Sequence, residues 1–336
     1  MIRPIHGMIR REALMEVAIV ACSSQVPLIE LDAGAAQLKE AGFGVTIYPQ
    51  CRTRHFTYAG TDDERAAALF DAASDPRFQI IWCARGGYGA TRLLPLVQRL
   101  TEQRGIPPRK LLIGYSDVTA LHAFLHRHWG WPTLHGLMPA SNDFLPTAPE
   151  VAATLELVRG RRPPLAWENA PLTFLTPPPR NSIEAPVVGG NLTLLAAMCG
   201  TPYFPPLRDT ILFLEDVGEA WYRLDRMVTQ LSQASAFDGV RAILLGNFKG
   251  CRDDVTRGRP RPGDAEEIDL RDPIPEDQAM AEIFGSLGQR LGIPVAKGLP
   301  IGHGPDHWPL PLNTPYRLDR HGRLEMLEWE WFGCRT

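Results

Sequence analysis

Residues 111–125 read LLIGYSDVTALHAFL, and this stretch decides the fold expected for the chain. Leu111–Ile113 is an apolar run of strand length, and apolar residues return at helical spacing from Val118 to Leu125. Ser116 therefore lies where a strand turns into a helix. Such a turn can expose a nucleophilic hydroxyl, with the helix N-terminus behind it to stabilise an oxyanion. The alternative is an ordinary helix N-cap, and Val118 replaces the second Gly of the standard G-x-S-x-G turn.

Strand and helix patterns alternate through the first 140 residues. The predicted strands are Val17–Cys22, Gly44–Tyr48, Gln79–Ala84 and Leu111–Tyr115. The predicted helices between and around them are Ala35–Ala41, Asp62–Ala73 and Thr91–Leu100. This alternation is typical of an α/β protein with a parallel sheet and helices on its faces.

The alternation stops at about residue 146, where prolines become frequent up to residue 186. We interpret this segment as a linker that runs over the surface. The sequence thus predicts an N-terminal nucleophile domain at 1–150, a Pro-rich linker at 151–186 and a smaller-sheet C-terminal α/β domain at 187–336. The charged segment 252–275 is expected to form a long surface loop. Predicted helices of the second half are Asn191–Met198, Glu219–Gln233 and one around Met280–Leu287, and predicted strands are Ile211–Leu214, Val240–Leu245, Val295–Lys297, Tyr316–Leu318 and Leu324–Leu327.

Composition excludes several classes of function. The 336 residues carry a net charge of −3 and no dense Lys/Arg block, so no nucleic-acid partner is expected. No apolar run approaches the roughly 20 residues of a membrane helix, and the apolar run from Val17 is too short for the core of a signal peptide. The six Cys are scattered without a C-x-x-C pair, which predicts neither a zinc site nor disulfides and favours a reducing cytoplasm.

A glycine-rich turn, RGGYG at 85–89, directly follows the third predicted strand. Its glycines would let backbone N–H groups approach a ligand or form an anion-binding nest. The alternative is a plain tight turn. A phosphate loop is a poorer interpretation, because neither G-x-x-x-x-G-K-[ST] nor a complete G-x-G-x-x-G is present.

Two later segments add acid–base groups. The first is LEDVGE at 214–219, where an apolar strand ends in acidic residues. Glu215 could orient a histidine. Asp216 and Glu219 are expected to cap the helix that follows. In GHGPDH at 302–307, His303 is the preferred general base because glycines flank it, and His307 is the second candidate. The histidines at 122, 126 and 128 share one predicted helix and are expected to pack or face solvent. No metal-ligand spacing such as H-E-x-x-H occurs.

Taken together, these segments resemble the L,D-carboxypeptidases, serine peptidases with a Ser-Glu-His triad that include the murein tetrapeptide carboxypeptidases. The resemblance runs from Val17 to about Trp331. It rests on RGGYG at 85–89, GYSDVT at 114–119, GGNL at 189–192, LEDVGE at 214–219 with YRLDR at 222–226, and GHG at 302–304. It implies that Ser116 is the nucleophile, Glu215 the carboxylate and His303 the base.

The resemblance implies further properties. The oxyanion hole would be formed by N–H groups of Gly86, Gly87 and Asp117. The N-terminal domain would be like that of class I glutamine amidotransferases, and the protein would be a homodimer that needs no metal or cofactor. The substrate would be a murein tetrapeptide that loses its terminal D-Ala in peptidoglycan recycling. Arg85, Tyr88 and Arg226 are candidates for binding that substrate, although Arg226 could equally pair with a neighbouring acid on a helix surface.

Two alternatives remain open. Some members of this family cleave the amide of microcin C-like peptidyl nucleotides and so confer self-immunity; the LEDVGE form favours the murein branch. The chain could also be a catalytically inactive peptide-binding protein that retains the fold. The presence of all three triad residues argues against that alternative.

Overall fold

The computed structural model describes residues 14–145, 147–252 and 274–331, which form two sheets flanked by helices. The strands of the first sheet are β1 (Glu16–Val20), β2 (Gly44–Ile47), β3 (Ile80–Cys83), β4 (Leu111–Gly114), β5 (Thr133–His135) and β11 (Leu310–Leu312). They lie in the order β11-β5-β4-β3-β1-β2. All neighbours are parallel except β11, which is antiparallel to β5. The α/β class with a parallel N-terminal sheet is thereby confirmed.

The first sheet is covered by α1 (Leu28–Glu40), α2 (Asp62–Ser74), α3 (Leu94–Arg104) and α4 (Thr119–Phe124). Short 3-10 turns occupy 49–52, 90–93 and 116–118, and a π-helical turn at 125–129 extends α4. The central strands are buried on both faces, which is why they are continuous apolar runs rather than alternating ones. The first predicted helix is longer than expected, since α1 begins at Leu28 instead of Ala35.

The second sheet has seven strands, one more than the first, so the expectation that it is the smaller one is wrong; its order is β13-β12-β7-β8-β9-β10-β6. Its strands are β6 (Thr173–Phe174), β7 (Ile183–Asn191), β8 (Ile211–Val217), β9 (Ala242–Lys249), β10 (Val295–Lys297), β12 (Pro315–Leu318) and β13 (Leu324–Met326). Strands β7 to β10 are parallel, and the three others pair antiparallel at the edges. Its helices are α7 (Leu192–Met198), α8 (Trp221–Gln233), α9 (Glu276–Met280) and α10 (Ser286–Leu291), with a π-helical turn at 281–285 between the last two.

The Pro-rich segment does not run over the surface as expected. It contains α5 (Pro149–Val158) and α6 (Ala166–Asn169), and Leu165 and Trp167 are fully buried. Strand β7, in which Gly189 and Gly190 lie, also begins inside it. These glycines therefore belong to a strand and do not open α7. Most of the predicted loop at 252–275 lies outside the described residues.

The two sheets meet through α4. Val118 and Leu121 share one buried apolar cluster with Leu192 of α7 and Leu214 of β8. The hydroxyl of Thr119 accepts a hydrogen bond from the backbone N–H of Asn191 at 3.0 Å. The N-terminal end of α4, directly after the 3-10 turn in which Ser116 lies, is thereby held against the end of β7. None of the helices in the described ranges has the length and apolar character needed to cross a bilayer.

Candidate active site

Ser116 lies at a strained turn directly after β4. Its φ angle is +63°, in the left-handed region that residues other than Gly rarely adopt, and its side chain lines a cleft of about 450 Å³. Strain of this kind is characteristic of nucleophile turns and other functional sites. The turn carries no side-chain cap hydrogen bond, so the geometry does not support the N-cap alternative.

The buried carboxylate of Asp117 holds this turn in place. This carboxylate is 1% exposed and accepts hydrogen bonds from the Ser23 hydroxyl at 2.6 Å and the Ala90 N–H at 2.8 Å. Burial raises the pKa of Asp117, and these two hydrogen bonds oppose the rise. The carboxylate therefore ties the Ser116 turn to the end of β1 and to the segment after the glycine-rich turn.

The glycine-rich turn contacts the Ser116 side chain directly. A Cβ placed on Gly86 would lie 3.0 Å from Cβ and 3.2 Å from Oγ of Ser116, so a larger residue would displace the serine. In the described part of the chain, no acceptor is paired with the N–H groups of Gly86, Gly87 and Asp117. These groups are free to donate to a ligand atom beside Ser116, as an oxyanion hole requires.

Glu215 and His303 form a hydrogen-bonded pair in which the carboxylate is buried and the imidazole is partly exposed. Oε2 of Glu215 lies 2.7 Å from Nδ1 of His303, and the Glu215 side chain is fully buried. Gly302 makes this approach possible: its φ is +120°, and a Cβ there would lie 2.9 Å from Oε2 of Glu215. The glycine before His303 is thus required both by its backbone conformation and by the space that the carboxylate occupies.

The pair sets the protonation properties of His303. Burial by itself would lower the pKa of His303, but the hydrogen bond and the charge of Glu215 outweigh it, and the pKa is raised above its ordinary value of 6.5. With Nδ1 directed to the carboxylate, Nε2 remains for the cleft, which His303 lines together with Ser116. No hydrogen bond joins Ser116 to His303 among the described residues. Such bonds are often long in unliganded active sites.

Tyr115 connects His303 to a second, buried set of histidines. Its ring centroid is 5.0 Å from that of His303 and 4.2 Å from that of His307. His307 in turn stacks on His135 at 5.2 Å, and burial lowers the pKa of His307 to about 3. His307 therefore packs as a neutral ring and has no carboxylate partner in the described chain. His122 is also buried, with Nε2 2.9 Å from the carbonyl of Gly114.

Asp216 does not cap the helix that follows it, contrary to expectation. Its buried carboxylate accepts the N–H of Thr193 at 2.9 Å and so caps α7, which precedes it in the chain. It also accepts bonds from the Thr193 hydroxyl, Asn191 and the Val217 N–H. Glu219 instead pairs with Arg223 at 3.4 Å, and α8 begins without a side-chain cap. Glu215 and Asp216 therefore serve different elements.

The three predicted substrate-binding residues are not gathered in one place. Arg85 lines the cleft, and its guanidinium donates to the carbonyl of Gln25 at 3.0 Å. Tyr88 is 54% exposed and packs against Tyr58 outside the residues that line the cleft. Arg226 lies on the exposed face of α8 over the ring of Tyr222, away from the cleft lining. It forms no ion pair with the neighbouring acids in the described chain.

Two acids that sequence analysis missed, Glu30 and Asp143, line the cleft beside Ser116. Neither stands in a motif, and Asp143 follows a Ser-Asn pair in a segment without helix or strand periodicity. Their position depends on how distant segments fold together, so no local signal could have found them. In the described residues, no group of three or more His, Cys, Asp or Glu could hold a metal ion.

Comparison with known proteins gives the family. The model of the LD-carboxypeptidase N-terminal domain matches residues 17–136, and that of the LD-carboxypeptidase C-terminal domain matches residues 184–318. The chain belongs to the LD-carboxypeptidase family. It is therefore a member of a peptidase family, with the Ser116 turn in one matched region and the Glu215–His303 pair in the other.

Individual LD-carboxypeptidases resemble the chain over most of its length. The murein tetrapeptide carboxypeptidase of Pseudomonas aeruginosa is 32% identical over 302 residues, which are 87% of this chain and 90% of that protein. The crystal structure of muramoyltetrapeptide carboxypeptidase from Oxalobacter formigenes is 30% identical, with a TM-score of 0.69 and coverage of 93% of this chain and 98% of that one. The microcin C7 self-immunity protein of Escherichia coli is 26% identical over 242 residues, 64% of this chain and 70% of that protein.

Proposed function

We propose that this protein is a serine-type L,D-carboxypeptidase that removes the terminal D-Ala from murein tetrapeptides. The observation that carries the proposal is the hydrogen-bonded Glu215–His303 pair, whose histidine lines the same cleft as the strained Ser116 turn. A nucleophile, a base and an orienting carboxylate are the three parts of a serine hydrolase triad. The murein peptide class is supported by the related carboxypeptidases that act on it.

The proposed reaction is a two-step acyl transfer. Nε2 of His303 accepts the proton of the Ser116 hydroxyl while Oγ attacks the carbonyl carbon of the scissile amide. The negative charge that develops on the carbonyl oxygen is stabilised by the N–H groups of Gly86, Gly87 and Asp117. Glu215 stabilises the imidazolium and keeps Nε2 directed at the cleft.

His303 then returns the proton to the leaving nitrogen, so that the C–N bond breaks and D-Ala departs as a neutral amine. The acyl-enzyme that remains is an ester of Ser116. Water, deprotonated by the same histidine, attacks this ester and restores the free hydroxyl. No step requires a metal or a cofactor.

We place this activity in the cytoplasm, in peptidoglycan recycling, and propose a homodimer of chains with a nucleophile domain at 1–150, a connecting segment at 151–186 and a C-terminal domain at 187–336. The cysteines of the described residues are free thiols, which suits a reducing compartment. Size-exclusion chromatography with light scattering would test the dimer.

The decisive experiment is incubation of the purified protein with a murein tetrapeptide and detection of released D-Ala by mass spectrometry. An aminoacyl sulfamoyl nucleoside, offered in parallel, tests the microcin-type alternative. Release of D-Ala with a kcat/KM above that for the nucleoside supports the proposal. Cleavage of the nucleoside alone would assign the protein to self-immunity, and cleavage of neither would favour a binding protein.

A further inference from the structure

The charged side chain of Arg65 is fully buried, although the proposed mechanism does not use it. Arg65 lies on α2, its side chain is 0% exposed, and its ion-pair partner is Asp62 at the start of the same helix. Removing a guanidinium group from water is costly unless its donors find acceptors, and an apolar side chain often fills such a position at no loss of stability. The acceptors that Arg65 binds therefore indicate its role.

Those acceptors include two backbone carbonyls from distant segments. Nη1 of Arg65 donates to the carbonyl of Cys22 at 2.7 Å and to that of Gly89 at 3.1 Å. Cys22 lies two residues after β1, and Gly89 is the last residue of the glycine-rich turn. The φ angle of Gly89 is +126°, and a Cβ there would lie 2.6 Å from Nη1 of Arg65, so only a glycine allows this approach. The guanidinium thus joins the end of the glycine-rich turn to the end of the first strand.

The carboxylate of Asp117 binds the same two segments one residue further along the chain. The hydroxyl of Ser23 donates to it at 2.6 Å, and the N–H of Ala90 donates at 2.8 Å. Burial raises the pKa of Asp117, and the charge of Arg65 is among the interactions that oppose this rise. Arg65 therefore binds one carbonyl, and Asp117 one hydrogen-bond donor, from each of the two segments.

These contacts decide where the glycine-rich turn lies relative to the nucleophile. Strand β3 holds the N-terminal end of the turn, and Arg65 and Asp117 hold its C-terminal end. Gly86 and Gly87 lie between the two anchors, and the described chain offers no acceptor to their N–H groups. The position of these two donors relative to Ser116 therefore depends on the bonds that Arg65 makes.

We propose that Arg65 is a positioning residue for the oxyanion hole. It holds the glycine-rich turn so that the N–H groups of Gly86 and Gly87 point to the oxygen that becomes negative when Ser116 attacks. Arg65 is not among the residues that line the cleft, so it acts through the backbone of the turn and not on the substrate. This inference rests on the proposed function and adds to it a residue of α2 that stands in none of the sequence motifs.

The test replaces Arg65 by Met, which is apolar and cannot bind the carbonyls, and by Lys, which keeps the charge without the forked geometry. D-Ala release from a murein tetrapeptide gives kcat and KM for each variant. Arg65→Met should lower kcat by about 100-fold and leave KM within about threefold, because the oxyanion is present only in the transition state. Arg65→Lys should lower kcat by only about tenfold, since an ammonium group can still bind one of the carbonyls.

A fluorophosphonate probe gives a second measurement that needs no peptide. Oγ of Ser116 bonds to phosphorus, fluoride leaves, and the hydroxyl proton passes to His303, while the phosphoryl oxygen takes the oxyanion position. The rate constant of labelling should fall in each Arg65 variant by about the same factor as kcat. The Kd of the tetrapeptide for Ser116→Ala should change by less than about threefold when Arg65→Met is added, because the free peptide bond carries no oxyanion.

The matched control is Arg92→Met. The guanidinium of Arg92 binds the same carboxylate of Asp62, with Nε 2.9 Å from Oδ2, and it lies 5.4 Å from the centre of the same Tyr58 ring that Arg65 approaches to 4.7 Å. In the part of the chain that the structure describes, however, the Arg92 side chain binds no carbonyl. Arg92→Met should therefore keep kcat and the labelling rate within about threefold of the unmodified protein.

Four outcomes would overturn this inference. The first is labelling of Arg65→Met at the unmodified rate, and the second is an equal loss in Arg92→Met, which would assign the effect to the ion pair. The third is a tetrapeptide Kd that weakens as much as kcat falls, because Arg65 would then support the cleft as a whole. The fourth is failure of both Arg65 variants to fold, measured by circular dichroism, because the residue would then hold the entire domain.

Failure of the proposed function gives a different result. If the unmodified protein released no D-Ala but its Ser116 were labelled by the fluorophosphonate at a rate that fell in Arg65→Met and not in Arg92→Met, the murein activity would be refuted. The role of Arg65 in placing the oxyanion donors would still be supported.

Discussion

Replacement of Glu215 by Gln perturbs the candidate triad with the least change in shape. The side chain is fully buried and lies 2.7 Å from Nδ1 of His303, so the substitution removes a charge without leaving a cavity. The raised pKa of His303 depends on that charge. An amide also presents an NH2 group that can turn Nδ1 into an acceptor and place the proton on Nε2, where the base needs a lone pair.

The expected loss follows from these two effects. The neutral amide no longer stabilises the imidazolium, and the wrong tautomer becomes favoured, which together lower kcat/KM by about 10⁴-fold, or about 5 kcal/mol of transition-state stabilisation. The assay is D-Ala release from a murein tetrapeptide under single-turnover conditions, with circular dichroism to verify the fold. The acylation rate should fall while substrate binding changes little.

The neighbouring acid supplies the control. Asp216 is as buried as Glu215, but its carboxylate accepts three hydrogen bonds from the start of α7 and one from the Val217 N–H, and none from His303. Asp216→Asn should therefore lower the free energy of unfolding by about 1–3 kcal/mol and keep kcat/KM within about tenfold. If Asp216→Asn were the inactive variant and Glu215→Gln remained active, the triad assignment would be refuted.

Four further predictions follow from the same geometry. Ser116→Ala should keep the fold and lower kcat by about a million-fold, measured as D-Ala release; turnover near that of the unmodified protein would exclude a serine mechanism. Exhaustive chelation should leave activity unchanged, whereas loss with recovery on adding zinc would indicate a metal enzyme. Gly302→Ala should reduce activity by at least about tenfold, because its Cβ would overlap the triad carboxylate, and a fully active variant would contradict that contact. Burial lowers the pKa of His122 to about 4 and that of His307 to about 3, so these rings take up protons from about pH 6.5 downward only in the unfolded chain. The free energy of unfolding should therefore fall between about pH 6.5 and pH 4, and these two rings together lower it by about 4 kcal/mol at pH 5. His303, whose pKa is raised, changes the free energy of unfolding in the opposite direction and partly offsets this loss. An equal urea midpoint at pH 5 and pH 7 would contradict this prediction.

The helices and strands that could be predicted from sequence are those in which the element's own residues show a hydrophobic pattern. Strands β3 and β4 are uninterrupted apolar runs and β1 is one after Glu16; at four or five residues each run has the length of a strand rather than a helix. Strands β5 and β11 were missed because neither shows a strand pattern: β5 has a single apolar residue between Thr133 and His135, and β11 has a proline at its centre. Trp167 is buried although prolines surround its segment, since tertiary packing outweighed local composition.

In the candidate site too, local motifs predicted some residues, whereas tertiary packing decided the roles of others. Ser116, Glu215 and His303 stand in motifs; the fold brings Ser116 and His303 to one cleft and buries Glu215 behind His303. The role of Asp216 was mispredicted because β8 continues through Val217 with an irregularity after Leu214, which directs the carboxylate to α7. A sequence pattern shows which helix follows a residue, but not which earlier helix packs beside it.

Strand β11 has a consequence for the modularity of the chain. It begins three residues after His307, the last residue of the GHGPDH segment, and pairs with β5 from Leu310 opposite His135 to Leu312 opposite Thr133. A fragment ending near residue 150 would leave the backbone of β5 exposed as an open edge, and the complementary fragment would carry an edge strand without its sheet. The two halves therefore cannot be exchanged freely between relatives. A chimera has to inherit β5 and β11 from the same parent, or the loop that carries His303 loses the strand pairing that follows it.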